Sequence, residues 1–133
     1  QIDSALALKA GMFDLQQVEV LKGPQALYFG KNSSGGVISL RTADPTSELF
    51  LQARAGYEFN ARERYGEIIA SGPLSSTLGA RLAVSYTDMD GVFRNLASNA
   101  ISPRVPNGSE LIARGTLKWE PSDRFDARVK FTY

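Results

Sequence analysis

Residues Val18 to Leu40 read VEVLKGPQALYFGKNSSGGVISL, and the rest of the chain is best interpreted from this segment. Two short apolar runs, Val18–Leu21 and Val37–Leu40, flank a segment rich in glycine. β-Branching and alternation predict a strand for each run. Gly23-Pro24 ends the first strand, because glycine tolerates turn backbone angles and proline has no amide hydrogen to donate. On the residues alone, the segment is a β-turn-β unit that closes at Asp44-Pro45.

The glycine-rich turn does not match a phosphate-binding loop. That loop requires two glycines separated by four residues, followed by Lys and then Ser or Thr. Gly23 lies too far from Gly30, with six residues between them, and Asn32 stands after Lys31. We therefore exclude a nucleotide-phosphate site at this turn.

The segment before this stretch carries little information. Leu8, Met12 and Leu15 have helical spacing, which permits a brief helical turn near Phe13–Gln17. A packed surface turn is the preferred interpretation.

Composition excludes several classes of function. The 133 residues carry 15 basic and 14 acidic side chains, and the net charge of +1 gives no general attraction to nucleic acid. Cysteine and histidine are both absent from the sequence, which argues against disulfides, zinc sites and Ser-His-Asp hydrolases. We expect no metal, no cofactor and no catalytic residue. No run approaches the ~18 apolar residues of a membrane-spanning helix.

After Pro45 the chain alternates between apolar and polar residues with a period of two. The pattern predicts five strands: 49–59, 64–74, 78–87, 110–119 and 125–133. The first contains about eleven residues, the length that crosses a bilayer when tilted, whereas strands of soluble proteins average about five or six. Strand length is the main argument from the residues for a membrane protein.

The connections between these strands differ in length. Ser75–Thr77 and Pro121–Asp123 are predicted tight turns, Asn60–Glu63 is a modest break, and Asp88–Ser109 is a long loop. Short turns on one side and longer loops on the other are typical of outer-membrane barrels. If the first strand starts on the periplasmic side, the long loop lies outside.

Two sets of side chains on the strands are candidate functional residues. Aromatic residues near strand ends are candidates for the membrane girdle, with plain core packing as the alternative: Tyr57, Phe59, Tyr86, Trp119 and Tyr133. Cations on the polar faces are candidates for lining a lumen, with simple hydration as the alternative: Arg54, Arg81, Arg114, Arg128 and the neighbouring Lys130.

The stretch from Val18 to Leu40 resembles the C-terminal part of the plug domain of TonB-dependent outer-membrane receptors. That family typically shows VEVL(R/K)GPQ, then (L/F)(Y/F)G, a polar pair and GGVI. The positions in step with this pattern are Glu19, Lys22, Gly23, Pro24, Gly30, Gly35, Gly36, Val37 and Ile38. Lys22 departs from the commoner Arg and lacks its bidentate fork, so a carboxylate clamp there should be weaker. Phe29 adds a second aromatic ring after Tyr28.

The resemblance implies a mainly all-β fold in two parts. Residues 1–45 would be the end of an α+β plug, and residues 46–133 the first antiparallel strands of a transmembrane barrel of twenty-two strands. Charged residues near the plug turn contact the inner barrel wall in this family. The implied plug residues here are Glu19, Lys22, Gly23, Pro24, Gly30, Gly35, Gly36 and Arg41.

The resemblance also implies a function. The expected protein is an active transporter in the outer membrane of a Gram-negative bacterium, importing a ferric siderophore, cobalamin or saccharide with energy from the TonB complex. Its partners would be outer-membrane lipid, the small nutrient and TonB, the last through an N-terminal segment outside this chain. The chain is therefore expected to be a fragment of a larger receptor, cut or processed before Gln1.

Three alternatives remain open. A soluble all-β ligand-binding module explains the alternation but not the strand length or the order of the loops. An enzyme would need a carboxylate pair such as Asp88/Asp90 or Glu58/Glu67, and nothing places either pair in a pocket. A porin without energy coupling is disfavoured by the plug-like motif.

Overall fold

The chain forms two compact units, residues 1–44 and 45–133. The computed structural model describes residues 12–24, 35–96 and 103–133. All strand pairings among them are antiparallel. Within these ranges, no helix has the length and apolar character needed to cross a membrane.

The first unit contains a two-stranded ladder of β1 (Leu15–Lys22) and β2 (Gly36–Thr42). Val18 lies opposite Leu40, and Lys22 opposite Gly36, so both predicted strands are confirmed. The helical turn near Phe13–Gln17 is wrong for its last three residues. Leu15 and Gln17 pair with residues of β2, and this cross-strand pairing overrides the local spacing of apolar residues.

The second unit is a five-stranded antiparallel sheet that confirms all five predicted strands. Its order is β3-β4-β5-β8-β9, and a separate short ladder of β6 and β7 lies within the connection between β5 and β8. The bounds are β3 (Phe50–Glu58), β4 (Glu63–Pro73), β5 (Leu78–Met89), β6 (Phe93–Arg94), β7 (Arg104–Val105), β8 (Gly108–Ser122) and β9 (Phe125–Thr132). Strands β4, β5 and β8 contain 11, 12 and 15 residues, well above the ~5–6 typical of soluble proteins.

The predicted turn at Pro121–Asp123 is wrong in position. Strand β8 continues through Pro121 to Ser122, and the chain reverses at residues 123–124. The register shifts between Trp119 and Ser122. Such a bulge accommodates a proline, because the bulged residue need not donate to the ladder.

The sheet has two faces of opposite chemistry, which the register defines. We call one the polar face; its side chains are Phe50, Gln52, Arg54, Glu58, Glu63, Tyr65, Glu67, Ile69, Ser71, Arg81, Ala83, Ser85, Thr87, Glu110, Ile112, Arg114, Thr116, Lys118, Arg128, Lys130 and Thr132. The opposite, apolar face presents Leu51, Ala53, Ala55, Tyr57, Ile68, Ala70, Leu78, Ala80, Leu82, Val84, Tyr86, Leu111, Ala113, Leu117, Trp119, Ala127, Val129 and Phe131. Glycines apart, the apolar face includes few polar side chains, and these lie at one end: Arg64, Asp88 and Ser109.

The sheet also has two ends. The loop end carries the β3–β4 turn and the connection between β5 and β8, and the turn end carries residues 74–77 and 123–124. At the turn end, the Ser75 hydroxyl accepts hydrogen bonds from the amides of Thr77 and Leu78 at 3.2 and 3.1 Å. This side chain satisfies amides that a short reversal leaves without ladder partners.

Candidate functional site

The polar face brings together the four arginines predicted to line a lumen. Arg81 and Arg114 lie on the neighbouring strands β5 and β8, and Arg54 and Arg128 lie on the outer strands β3 and β9. The centre of the face is buried: Arg114 is 5% exposed, Arg81 is 9% exposed, and Thr116, directly opposite Arg81, is 1% exposed. Whether this face lines a lumen stays a prediction.

The two central arginines are held by specific contacts. The Arg81 guanidinium lies 5.9 Å from the centroid of the Phe50 ring, within cation–π range. Nε of Arg114 donates to the Thr132 hydroxyl at 3.2 Å. Burying a cation is costly without such compensation, so these contacts fix where the positive charge of the face resides.

Large side chains of the apolar face are exposed, whereas those at the centre of the polar face are buried. Leu117 is 47% exposed, Leu82 53%, Val129 66% and Phe131 67%. In a sheet folded in water, such side chains would be the core and the arginines would be outside. Large exposed apolar side chains grouped on one face are typical of surfaces that contact another protein or a membrane.

The predicted girdle aromatics occupy different places. Near the loop end, Tyr57 and Phe59 contact each other edge to face at 5.0 Å. Near the turn end, Trp119 contacts Phe125 in the same manner at 5.5 Å. Tyr86 lies on the apolar face opposite Leu111. All five predicted aromatics are at least 45% exposed.

Tyr133 differs from the other four in its register. It exchanges backbone hydrogen bonds with Ala113, in the centre of β8. Its neighbours across the strands are therefore mid-sheet residues, and its girdle role stays a prediction.

Three of the four carboxylates considered for catalysis, Glu58, Asp88 and Asp90, have structural partners at the loop end. Asp88 lies 3.6 Å from Arg64, and Asp90 lies 4.0 Å from Arg62. Glu58 accepts the amide hydrogens of Asn60 and Ala61 and so closes the β3–β4 turn. No group of three acidic, His or Cys side chains suited to a metal occurs in the described ranges.

An arginine clamps two connections at this end. Nη1 of Arg104 donates to the carbonyl oxygens of Asn60 and Gly91, both at 3.1 Å. The amide of Gly91 donates to the carbonyl of Ala61 at 3.1 Å. These bonds tie the β3–β4 turn to the base of the long connection. A cavity of about 590 Å³ lies beside them, lined by Arg62, Asp88, Met89, Asp90, Arg94, Pro103, Arg104, Asn107, Gly108 and Ser109.

The predicted plug residues lie in the first unit, apart from Gly30, which is outside the described residues. Gly23 and Gly36 have φ angles of +85° and +133°, which L side chains rarely adopt. A Cβ on Gly36 would also lie 2.5 Å from the Leu21 carbonyl oxygen. Backbone conformation therefore explains why glycine occupies positions 23 and 36. At Gly35, by contrast, a Cβ would meet nothing within 4 Å.

The charged members of the set are exposed. Glu19 and Lys22 lie on β1, and Gln17 donates to Glu19 at 2.8 Å. Arg41 on β2 lies 3.6 Å from Asp44. Pro24 is exposed after β1. Their role in contacts with a barrel stays a prediction.

Sequence comparison identifies relatives of the chain. A hemin receptor of Yersinia enterocolitica is 29% identical over 126 residues, covering 88% of this chain and 18% of the receptor. The ferric enterobactin receptor PirA of Pseudomonas aeruginosa is 29% identical over 119 residues, covering 80% and 16%. The probable TonB-dependent receptor BfrD of Bordetella pertussis is 41% identical over 44 residues, covering 33% and 6%.

The chain is a relative of the TonB-dependent receptors. No family model matches the chain, and no solved structure matches it. The chain spans less than a fifth of the length of these receptors. The relatives are receptors by name and the described fold is almost entirely β.

The sequence did not predict that Thr116 and Lys118 lie beside the arginines of the polar face. Both belong to the polar half of β8, but their neighbours across β5 and β9 depend on register. A period of two gives the face of a residue and not its partners.

Proposed function

We propose that this chain is part of an outer-membrane active transporter that imports a scarce nutrient with energy supplied through TonB. Residues 1–45 would be the end of the plug domain, and residues 46–133 the first strands of a transmembrane barrel of twenty-two strands. Its relatives' names support the family, and the chemistry of the sheet supports the membrane location.

The observation that carries the proposal is the inverted burial of the five-stranded sheet. Arg114 and Thr116 are buried, while Leu82, Leu117 and Val129 are about half exposed or more. Strands in outer-membrane barrels alternate apolar outward and polar inward, so the apolar face would contact lipid.

The size of the apolar face fits a bilayer. On β8, the apolar positions run from Leu111 to Trp119, which is nine residues (111–119). A strand tilted by about 45° needs about 9–11 residues to cross a membrane. The charged pair Arg64 and Asp88 lies beyond this span at the loop end, where water or lipid headgroups would be available.

The nutrient class is proposed from the relatives. Two of them are named for hemin and ferric enterobactin. We therefore propose an iron-containing small molecule as substrate, in preference to cobalamin or a saccharide. A strain lacking the full-length receptor should grow poorly when hemin or a ferric siderophore is the sole iron source. The receptor gene should restore growth only when TonB is present.

Two adjacent residues of β8 give the sharpest test of the membrane proposal. The stretch has no cysteine, so Leu117→Cys and Lys118→Cys can each carry a spin label in the full-length receptor once any cysteine elsewhere is replaced. In lipid vesicles, the label at 117 should be more accessible to dissolved oxygen than to a water-soluble nickel complex. The label at 118, on the opposite face, should show a lower ratio of oxygen to nickel accessibility.

The same measurement tests the alternative of a soluble binding module. If the label at 117 is as accessible to the nickel complex as an exposed loop label is, the apolar face does not contact lipid. Recovery of the full-length protein outside the outer-membrane fraction would also refute the transporter.

A further inference from the structure

Residues 45–49, which precede β3, are held against the sheet, and we call them the strap. The amide of Thr46 donates to the Ser71 hydroxyl at 2.9 Å, and the Thr46 hydroxyl lies 2.8 Å from the same oxygen. The Thr46 hydroxyl also donates to the carbonyl oxygen of Glu48 at 2.7 Å. Ser71 belongs to β4 and is 3% exposed, so the strap is bonded to a buried group of the sheet.

Two glycines allow the strap to lie directly on the strands beneath it. A Cβ on Gly79 would lie 2.9 Å from the Cβ of Pro45, and a Cβ on Gly72 would lie 3.2 Å from the Cα of Leu49. Side chains at these positions would crowd the strap, and the missing Cβ atoms permit the close approach. Pro45 and Leu49 are the first and last residues of the strap, so it lies close to the sheet at both ends.

The strap is attached at the same residue where β3 begins to pair. Phe50, the first residue of β3, lies opposite Ser71 in the ladder, and Thr46 bonds to the side chain of Ser71. Residues 47–49 therefore form a short loop whose two ends are held at one residue of β4. Tension on the chain before Pro45 would load the bonds between Thr46 and Ser71 before it reached the ladder.

The ladder of β3 is weak against tension applied at its first residue. The hydrogen bonds of an antiparallel pair run across the strands. Tension at Phe50 that is directed away from β4 would load these bonds one after another, from the end of the strand inward. The strap places a separate set of bonds ahead of the first ladder bond.

The chain between the first unit and the strap is short. The amide of Ala43 donates to the Asp14 carbonyl oxygen at 2.9 Å within the first unit, and Pro45 begins the second unit. Asp44 is the residue between these two positions. Proline has a fixed φ angle and restricts the residue before it to extended conformations. A displacement of Ala43 would therefore reach the strap with little slack.

We propose that the strap is a mechanical anchor, which carries tension from the first unit and keeps β3 paired with β4 while that unit moves or unfolds. The bonds between Thr46 and Ser71 hold the load, and Gly79 gives Pro45 the room to lie against the sheet. The inference deepens the proposed function and rests on it for the source of the tension, because an energy-coupled transporter moves parts of itself during import.

Constant-force spectroscopy on single molecules tests the anchor directly. The full-length receptor is held in a lipid bilayer and pulled by a handle at its N-terminus. Release of the strap should add a separate step of about 15 Å, the extended length of four to five residues, before β3 unpairs. The measured quantity is the time that the molecule waits before this step at a fixed force.

The strap variant combines Thr46→Val with Ser71→Ala, which removes the hydroxyls of the anchor. Its matched control combines Thr87→Val with Ser85→Ala, which removes the same atoms from two residues of β5 outside the strap. The strap variant should shorten the waiting time by at least ~10-fold, because several hydrogen bonds are lost together, and the control by less than ~2-fold.

A second pair tests the contact of Pro45 without removing a hydrogen-bonding group. Gly79→Ala introduces a Cβ that crowds Pro45 and should also shorten the waiting time. Its control is Gly115→Ala, because a Cβ on Gly115 would meet nothing within 4 Å, and it should leave the waiting time unchanged.

Three results would overturn the anchor. The first is the absence of a separate step before β3 unpairs in the unmodified receptor. The second is equal waiting times in the strap variant and its control. The third is a strap variant that lowers the unfolding temperature but leaves the waiting time unchanged, because the strap would then stabilise the resting fold without carrying tension.

The failure of the anchor and the failure of the transporter can be told apart. Growth on hemin or a ferric siderophore, with and without TonB, reports on the transporter independently of force. A receptor that supports this growth but has an unchanged waiting time in the strap variant overturns only the anchor. A protein found outside the outer-membrane fraction overturns the transporter, and the anchor with it, whatever the waiting times are.

Discussion

The two faces of the five-stranded sheet bury side chains in the opposite order to a soluble protein. Ala83 on the polar face is 0% exposed, whereas its neighbour Leu82 on the apolar face is 53% exposed. The two residues are consecutive in β5, so the main difference between them is the face to which their side chains point. The difference shows that, at this point of β5, the polar face of the sheet is the buried one and the apolar face is the exposed one.

The largest effect should come from a charge at the centre of the apolar face. Leu82 lies opposite Gly115, midway along the apolar span of β8. In the full-length receptor in lipid vesicles, Leu82→Arg should lower the free energy of unfolding by ~2–4 kcal/mol, the cost of arginine at the midplane of a barrel. Denaturant titration measures this.

The matched control for Leu82→Arg is Gln52→Arg, which places the same charge on the polar face. It should cost less than ~1 kcal/mol, because Gln52 is only partly buried and a charge there can stay hydrated. If the apolar face were in water, Leu82→Arg would change stability by no more than ~0.5 kcal/mol, as surface substitutions do.

A second pair compares space on the two faces. Ala83→Leu adds three carbons at a fully buried position beside Ile69 and should cost ~1–3 kcal/mol by overpacking. Ala53→Leu places the same side chain on the exposed apolar face and should be neutral within ~0.5 kcal/mol. Equal losses in denaturant titrations would contradict the assignment of the buried face.

A third pair compares two arginines of the polar face. Arg114→Lys loses the bond from Nε to the Thr132 hydroxyl and should cost ~0.5–1.5 kcal/mol. Arg54→Lys changes an exposed residue and should have an effect near zero. Thermal or denaturant unfolding measures the loss of stability in both variants. A larger loss for Arg54→Lys than for Arg114→Lys would contradict the burial of Arg114.

The smallest effect should come from the ion pair that borders the apolar face. Arg64 and Asp88 are 3.6 Å apart, and the arginine side chain is 64% exposed. A double-mutant cycle with Arg64→Gln and Asp88→Asn should give a coupling below ~1 kcal/mol that falls with added salt. A coupling of several kcal/mol would mean that the pair is sequestered from solvent and that the apolar span extends past it.

Most of the strands could be predicted from sequence, because apolar and polar residues alternate with a period of two when the two faces of a strand have different surroundings. The five long strands satisfied this condition, as did the two short strands of the first unit. Strands β6 and β7 are two residues each, too short to show any period, and their positions depend on pairing across the long connection. The strand at Leu15–Gln17 was missed because its partner is more than twenty residues away in the sequence.

The candidate site was predicted in part. Alternation grouped Arg54, Arg81, Arg114 and Arg128 by face, and the register confirms that they share one. The buried centre around Thr116 could not be inferred, because sequence does not reveal which face of a sheet is buried or which cations are adjacent. The lumen role of the face and the plug role of the motif residues stay predictions.

We call β6, β7 and their backbone contacts, at the base of the connection between β5 and β8, the neck. The neck affects how the length of this connection can change in evolution. Asn95 donates to Pro103 at 2.9 Å, β6 pairs with β7, and Arg104 fastens their base to the β3–β4 turn. The distance between the two strands of the neck is therefore set locally, whatever the length of the segment that joins them. Doubling that segment would cost only about 0.6 kcal/mol in closure entropy. The length of that segment can therefore change with little cost, while the sheet below the neck keeps its register.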